Sequence, residues 1–237
     1  MNKEMSERVA ALEWDGIHHA LDRQGFATFQ PILTPQECRD FIESYQAEEL
    51  YRKTIDMKRY RFGVGEYKYF QFPLPARLQQ LREAFYVPLA AAANRWLEQL
   101  GKEPKYPGTL SDFLEECHAA GQRRPTPLIL KYEAGGYNCL HQDLYGEVFF
   151  PFQVLLVLNE GDEDYSGGEF LLVEQRPRAQ SRGHVIRLKR GTGVIFPTSF
   201  RPVEGTRGYY RASLRHGVGT VSEGTRFSLG IIFHDAT

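Results

Sequence analysis

From residue 127 onward the chain breaks into short apolar runs, and no other feature limits its fold as strongly. The runs cover 128–132, 150–158, 169–174, 185–188, 193–196, 212–221 and 226–233, with clusters of Gly, Asn, Asp and Pro between them. Such punctuation separates β-strands. Seven or more short strands in about 110 residues predict a sandwich or jelly roll. The first half reads differently. Residues 6–23 carry Val9, Leu12, Ile17 and Leu21 at helical spacing and stop at Gly25. Residues 25–29 form a strand candidate. Thr34-Pro35-Gln36-Glu37 is a helix start with N-cap, first-turn Pro and capping Glu. A helix over 76–100 is expected to kink or split at Pro88, and a short one spans 111–119. The expected class is α+β, mostly β with N-terminal helices. All 237 residues are expected to form a single domain, with 1–125 as helical support and a lid and 126–237 as the jelly-roll core.

Charge and cysteines exclude several classes. The 29 basic and 30 acidic side chains nearly cancel, so a nucleic-acid partner would need a local basic surface. Three scattered cysteines, Cys38, Cys117 and Cys139, argue against a disulfide framework or thiolate zinc site and fit a reducing cytoplasm. Neither a secretion signal nor a membrane span is expected.

The chemistry begins at His141-Gln142-Asp143. On an extended segment positions i and i+2 face the same way, so His141 and Asp143 can grip one ion while Gln142 points away. His216, on a later strand, supplies the third ligand. Two imidazoles and one carboxylate are the facial set that holds non-haem Fe(II) with positions left open. His18, His19 and His118 lie in the helical half, and His184 and His234 do not match the pattern. All five read as packed or surface residues.

Arg226 follows His216 by ten residues, and Ser228 shares its strand face. A guanidinium fork with a neighbouring hydroxyl suits a carboxylate. The apolar run after it means that an inward Arg226 would need an anionic partner. Tyr132, on the strand leading to the metal pair, offers a phenol to the same acid, with Lys131 as the other candidate.

Together His141-x-Asp143, His216 and Arg226-x-Ser228 resemble the Fe(II)- and 2-oxoglutarate-dependent oxygenases. The resemblance covers 128–234, with a looser match at 25–45. It implies a double-stranded β-helix (jelly-roll, cupin-like) with helices packed on one sheet. It also implies Fe(II), 2-oxoglutarate and O₂ as cofactor and co-substrates, with Arg226, Ser228 and Tyr132 at the far carboxylate. Two branches compete. The Tyr132-to-His141 spacing resembles the AlkB-type nucleic-acid demethylases. Gly167-Gly168-Glu169-Phe170 and the His216-to-Arg226 spacing resemble the prolyl hydroxylases. Two departures from the AlkB pattern are Leu130, where an amide would help hold the co-substrate, and a C-terminal arginine cluster reduced to Arg226.

The favoured reaction is oxidative demethylation of alkylated bases in damaged DNA or RNA, a DNA-repair activity. The alternatives are hydroxylation of a prolyl or other amino-acid side chain, and a non-catalytic metal- or ligand-sensing jelly roll. Lys58-Arg59-Tyr60-Arg61-Phe62 and 67–72 interleave basic and aromatic residues, as a lid over a nucleic acid would. Tyr67, Tyr69, Tyr145 and Phe149 are the candidate substrate contacts. Arg207, Arg211 and Arg215 oppose His216 in strand parity and are expected at the surface.

Overall fold

The computed structural model describes residues 4–237. Among the described residues the elements run α1 (Met5–Ala10), α2 (Trp14–Gln24), β1 (Ala27–Phe29), α3 (Pro35–Ser44), β2 (Tyr51–Asp56), α4 (Met57–Tyr60), β3 (Gly63–Val64), β4 (Glu66–Phe70), α5 (Ala76–Gln99) and α6 (Leu110–Ala119). Then follow β5 (Leu128–Glu133), β6 (Tyr137–His141), β7 (Phe152–Val157), β8 (Tyr165–Gly167), β9 (Phe170–Gln175), β10 (Arg182–Ile186), β11 (Gly193–Pro197), β12 (Phe200–Gly205), β13 (Gly208–Val218) and β14 (Val221–Ile232).

Two antiparallel sheets face each other. The larger runs β1-β11-β7-β14-β5-β4-β2, with β8 added on β14, and the smaller runs β10-β9-β13-β6-β3, with β12 added on β13. The expected jelly roll is therefore present. Alternation along β14 explains the layers. Phe227, Leu229, Ile231 and Phe233 point outward and pack with Leu78, Phe85, Leu89 and Trp96 of α5. Ile232 points inward with Leu130 and Tyr132 of β5, Leu155 of β7 and Phe196 of β11. With a period of 2, one strand serves both the helix layer and the barrel interior.

Local signals account for most boundaries. Thr34 Oγ1 accepts from Glu37 N at 3.3 Å, and the Glu37 carboxylate accepts from Thr34 N at 2.8 Å, closing the capping box. Gly25 ends α2 with a φ of 86°. Arg82, inside α5, donates to the carbonyls of Ile232 and Phe233 and to Asp235 Oδ1, tying the helix to the end of β14.

Three expectations need correction. The single helix over 6–23 is two helices, because the chain turns between Ala10 and Trp14. Pro88 does not split the long helix; α5 is continuous around it. The first half also carries more β structure than its helical reading allowed. β4 joins the large sheet beside β5, and β3 pairs with β6. The basic-aromatic segment owes this to its own alternation: Tyr67 and Tyr69 face the barrel interior, while buried Lys68 faces the helix side, its ammonium on the carbonyl of Tyr45 at 2.9 Å. Among the described residues no helix is long and apolar enough to cross a membrane.

Candidate active site

His141 closes β6, Asp143 lies two residues beyond it, and His216 lies on β13 directly across from His141. Their ligand atoms all fall within 4.8 Å of one another. His216 Nε2 is 3.2 Å from Asp143 Oδ2, and His141 Nε2 is 3.5 Å from Asp143 Oδ1. His141 Nδ1 donates to the Cys139 carbonyl at 2.7 Å, which leaves Nε2 as the free ligand atom. His216 is fixed by packing, between the rings of Phe170 and Phe196 at 6.0 and 4.7 Å; among the described residues its Nδ1 has no hydrogen-bond partner. Gln142 points away from the triad, and its amide donates to the carbonyls of Ser199 and Leu214.

Asp143 is buried, which alone would raise its pKa. Hydrogen bonding and charge from His216, the nearby His141 and the Tyr145 hydroxyl instead hold it below the usual carboxylate range. Tyr145 Oη donates to Asp143 Oδ1 at 2.6 Å and so orients the carboxylate. The triad opens into a cavity of about 330 Å³. Tyr67 and Tyr145 line it, together with Arg61 and Phe62 at its mouth. Tyr69 stands behind this wall, its ring 5.3 Å from that of Tyr67 and 6.5 Å from that of Tyr145. Phe149 is not part of the lining. Its carbonyl accepts from Tyr106 Oη, and its ring lies 5.8 Å from the Lys105 ammonium.

Arg226 is buried at 1% exposure, with Nη1 donating to Ser228 Oγ at 3.1 Å. Among the described residues its Nε has no partner and no carboxylate pairs with it. The other deeply buried arginines are compensated: Arg82 by Asp235 and Arg201 by Glu174. A buried guanidinium without a counter-charge is costly unless an anion arrives. Arg226 lies opposite Tyr132 in the β14–β5 ladder, and Tyr132 lines the triad's cavity. Arg226 itself borders a second cavity of about 290 Å³, and Phe170 lines both. Burial pushes the Tyr132 phenol up to about 12, so it stays a donor, and Asn138 Nδ2 donates to it at 3.2 Å. Lys131 has the opposite parity and pairs with Glu133 at 2.6 Å, which leaves Tyr132 as the candidate of the two.

Tyr165 is a residue that sequence reasoning missed. It contacts the Arg226 guanidinium, 6.0 Å from ring centre to Cζ. Gly168 was noted only as part of a motif. Its φ is 64°, and a Cβ there would come within 2.9 Å of Arg226 Cδ, so the glycine makes room for the arginine. Arg207, Arg211 and Arg215 are exposed, as parity predicts.

His234 is completely buried, the packed one of the two expected alternatives. Its Nδ1 accepts from Phe150 N at 3.2 Å, so the neutral ring carries its proton on Nε2. Burial takes its pKa down to about 4. The unfolded chain, with an ordinary histidine, then binds more protons between pH 6.5 and 4, so stability is full above 6.5 and falls as the solution is acidified. By pH 5 the loss from this group is about 2 kcal/mol. Urea titrations at pH 7 and pH 5 should show this loss in the wild type and a smaller one in His234→Phe.

A protein family described as "Oxygenase, catalysing oxidative methylation of damaged DNA" matches residues 65–236. Uncharacterized proteins from two strains of Mycobacterium tuberculosis are 50% identical over 167 residues, 70% of this chain and 72% of theirs. Among solved structures, a prolyl-4-hydroxylase of Pseudomonas putida superposes with a TM-score of 0.56 at 15% identity, over 94% of this chain and 99% of that one. A prolyl hydroxylase of Trichoplax adhaerens, in complex with a hypoxia inducible factor peptide, gives 0.56 at 13% identity, over 98% and 92%. A non-heme alpha-ketoglutarate-dependent epimerase from nogalamycin biosynthesis gives 0.57 at 13% identity, over 92% and 81%. At these identities the similarity is one of fold.

Proposed function

This chain belongs to the oxygenase family described in terms of damaged DNA, and on that premise we propose that it is an Fe(II)- and 2-oxoglutarate-dependent dioxygenase that demethylates alkylated nucleic-acid bases. The observation that carries the reading is the pairing of the His141, Asp143, His216 cluster with a buried Arg226 that no carboxylate of the described residues pairs with, in the same barrel. Two imidazoles and a carboxylate without thiolates suit Fe(II). A guanidinium lacking a counter-charge, beside the Ser228 and Tyr132 hydroxyls, suits the distal carboxylate of 2-oxoglutarate.

Bound iron with its co-substrate would couple decarboxylation to succinate and CO₂ with oxidation of one substrate C–H bond. The protein's part is positional. Cys139 fixes the His141 tautomer, Tyr145 orients Asp143, and Phe170 and Phe196 keep water from His216. A ring N-methyl group oxidised to hydroxymethyl leaves as formaldehyde, so this chemistry removes the methyl group.

The cavity mouth supports a nucleic-acid substrate. Tyr60 and Phe62 stack at 5.5 Å while remaining about half exposed, at 50% and 46%. Lys58, Arg59 and Arg61 flank them in the sequence and are exposed. Aromatic faces with nearby cations suit an unpaired strand. Replacing these three cations with glutamine should weaken oligonucleotide binding and flatten its log–log salt dependence by up to about 2 units. Fluorescence anisotropy across a salt series measures this.

The deciding experiment has two stages. Anaerobic addition of Fe(II) and 2-oxoglutarate should produce a weak visible charge-transfer band. Succinate release is then screened against methylated oligonucleotides, proline-containing peptides and free amino acids. Coupled turnover with methylated oligonucleotides supports the proposal; turnover with peptides alone overturns the substrate, and no band overturns the chemistry.

A further inference from the structure

The alternation that aims His216 at Asp143 aims its neighbours the other way. On β13, Leu214 and His216 point inward and are buried, while Tyr209, Arg211 and Arg215 point outward and are exposed. Arg207, at the tip of the β12–β13 hairpin, is exposed as well and continues the row. The helices pack on the large sheet, so this outer face of the small sheet stands open to solvent. At about 3.4 Å per residue, three guanidinium groups are spread along roughly 27 Å of chain.

The row is charged out of proportion to the chain. The 29 basic and 30 acidic side chains nearly cancel overall, yet on the outward positions of β9, β12 and β13 the one acid is Glu204, opposite Tyr209. Among the described residues none of the three arginines pairs with a carboxylate. Solubility alone is served by charges of mixed sign. The Arg211 guanidinium sits over the Phe200 ring, 4.3 Å from its centre, which restrains the charge without neutralising it. An arginine fork takes phosphate oxygens two at a time, and Tyr209, 41% exposed, offers a ring face to a base.

The row also leads to the cavity mouth. His216, next to Arg215, pairs with His141 on β6, and Leu140 beside His141 is 43% exposed and lines the triad's cavity. Phe62, at the same mouth, accepts through its carbonyl from Cys139 N at 2.8 Å. The inner end of the row therefore lies on the strand beside the one that forms the mouth, about 5 Å across the sheet.

We infer that Arg207, Tyr209, Arg211 and Arg215 form a second nucleic-acid contact, which holds the phosphodiester backbone of a single strand running from the cavity mouth along β13. The inference rests on the nucleic-acid reading and gives it a footprint outside the cavity. A stacked strand places a phosphate about every 3.4 Å, so the row spans about eight nucleotides. A short oligomer fills the mouth alone, and affinity grows with length until the row is covered.

The test changes Arg207, Arg211 and Arg215 together to Gln. Arg23, Lys102 and Arg123, three exposed cations of the helical half, are changed to Gln as the control triple. Anisotropy across a salt series gives the affinity for single strands of about 6 and about 20 nucleotides. Wild type should bind the longer strand at least about tenfold more tightly. The row triple should lose that gain, and its log–log salt slope on the longer strand should flatten by about 2 units. Its affinity for the short strand, its turnover of a methylated short strand and its thermal midpoint should match wild type, and the control triple should change none of these. Length-independent binding by wild type, or equal losses in the two triples, overturns the row as a contact. Poly-glutamate bound as tightly as the longer strand, and released in the row triple, makes the partner an acidic protein and overturns the nucleic-acid assignment of this face. Failure of wild type to bind either strand overturns the nucleic-acid reading along with it.

Discussion

Asp143→Ala is expected to abolish coupled succinate formation and the anaerobic Fe(II)–2-oxoglutarate absorption band. Asp143 lies within reach of both His141 and His216, so its loss removes the one anionic side chain of the triad. Changes to groups that merely support a ligand commonly cost 10–100-fold, so removal of the ligand itself should cost about 10³-fold or more. Because the carboxylate is buried and holds the Tyr145 hydroxyl, His141→Ala serves as the companion variant on a half-buried residue. Circular dichroism establishes that each variant is folded. Turnover within about tenfold of wild type in both would mean that the iron is not held here.

Arg226→Met is expected to raise the KM for 2-oxoglutarate by about 10²–10³-fold, the cost of a lost bidentate charge-assisted contact. Stability should move the other way. Among the described residues this buried guanidinium has no counter-charge, so a side chain of similar length and no charge should raise the urea midpoint. Saturating 2-oxoglutarate should stabilise wild type by about 2.7 kcal/mol at 100 times its Kd and leave the variant unmoved. Arg226→Lys is not a conservative control, because an ammonium cannot present a planar fork. An unchanged KM in Arg226→Met would place the co-substrate's distal carboxylate elsewhere.

The metal cluster was legible because a two-residue spacing on an extended chain has one geometric outcome, and His141 and Asp143 obey it. Arg226 was legible for a related reason: strand parity sets Arg226 and Ser228 inward and Phe227 and Leu229 outward. What stayed hidden depends on partners distant in the chain. Tyr165 reaches Arg226 only because the three-residue β8 pairs with β14, too short a strand to announce itself by periodicity. Phe149 follows the metal pair closely, yet the Gln122 carboxamide binds both N and O of Val148 and draws that segment away from the cavity. The polar side chain of Gln153, within an apolar run, reads as ordinary strand; that its buried Nε2 meets no partner among the described residues exists only in three dimensions.

The division of labour along β14 has an evolutionary consequence. Insertion of one residue between Arg226 and Ile232 would exchange the two faces for every position beyond it, turning greasy side chains into the reaction chamber and polar ones against α5. A point change on this strand disturbs one position, but a change of length disturbs every position beyond it. Homologues should therefore vary in length at exposed turns such as 176–181 and 205–208, and keep the tract from Arg226 to His234 free of gaps.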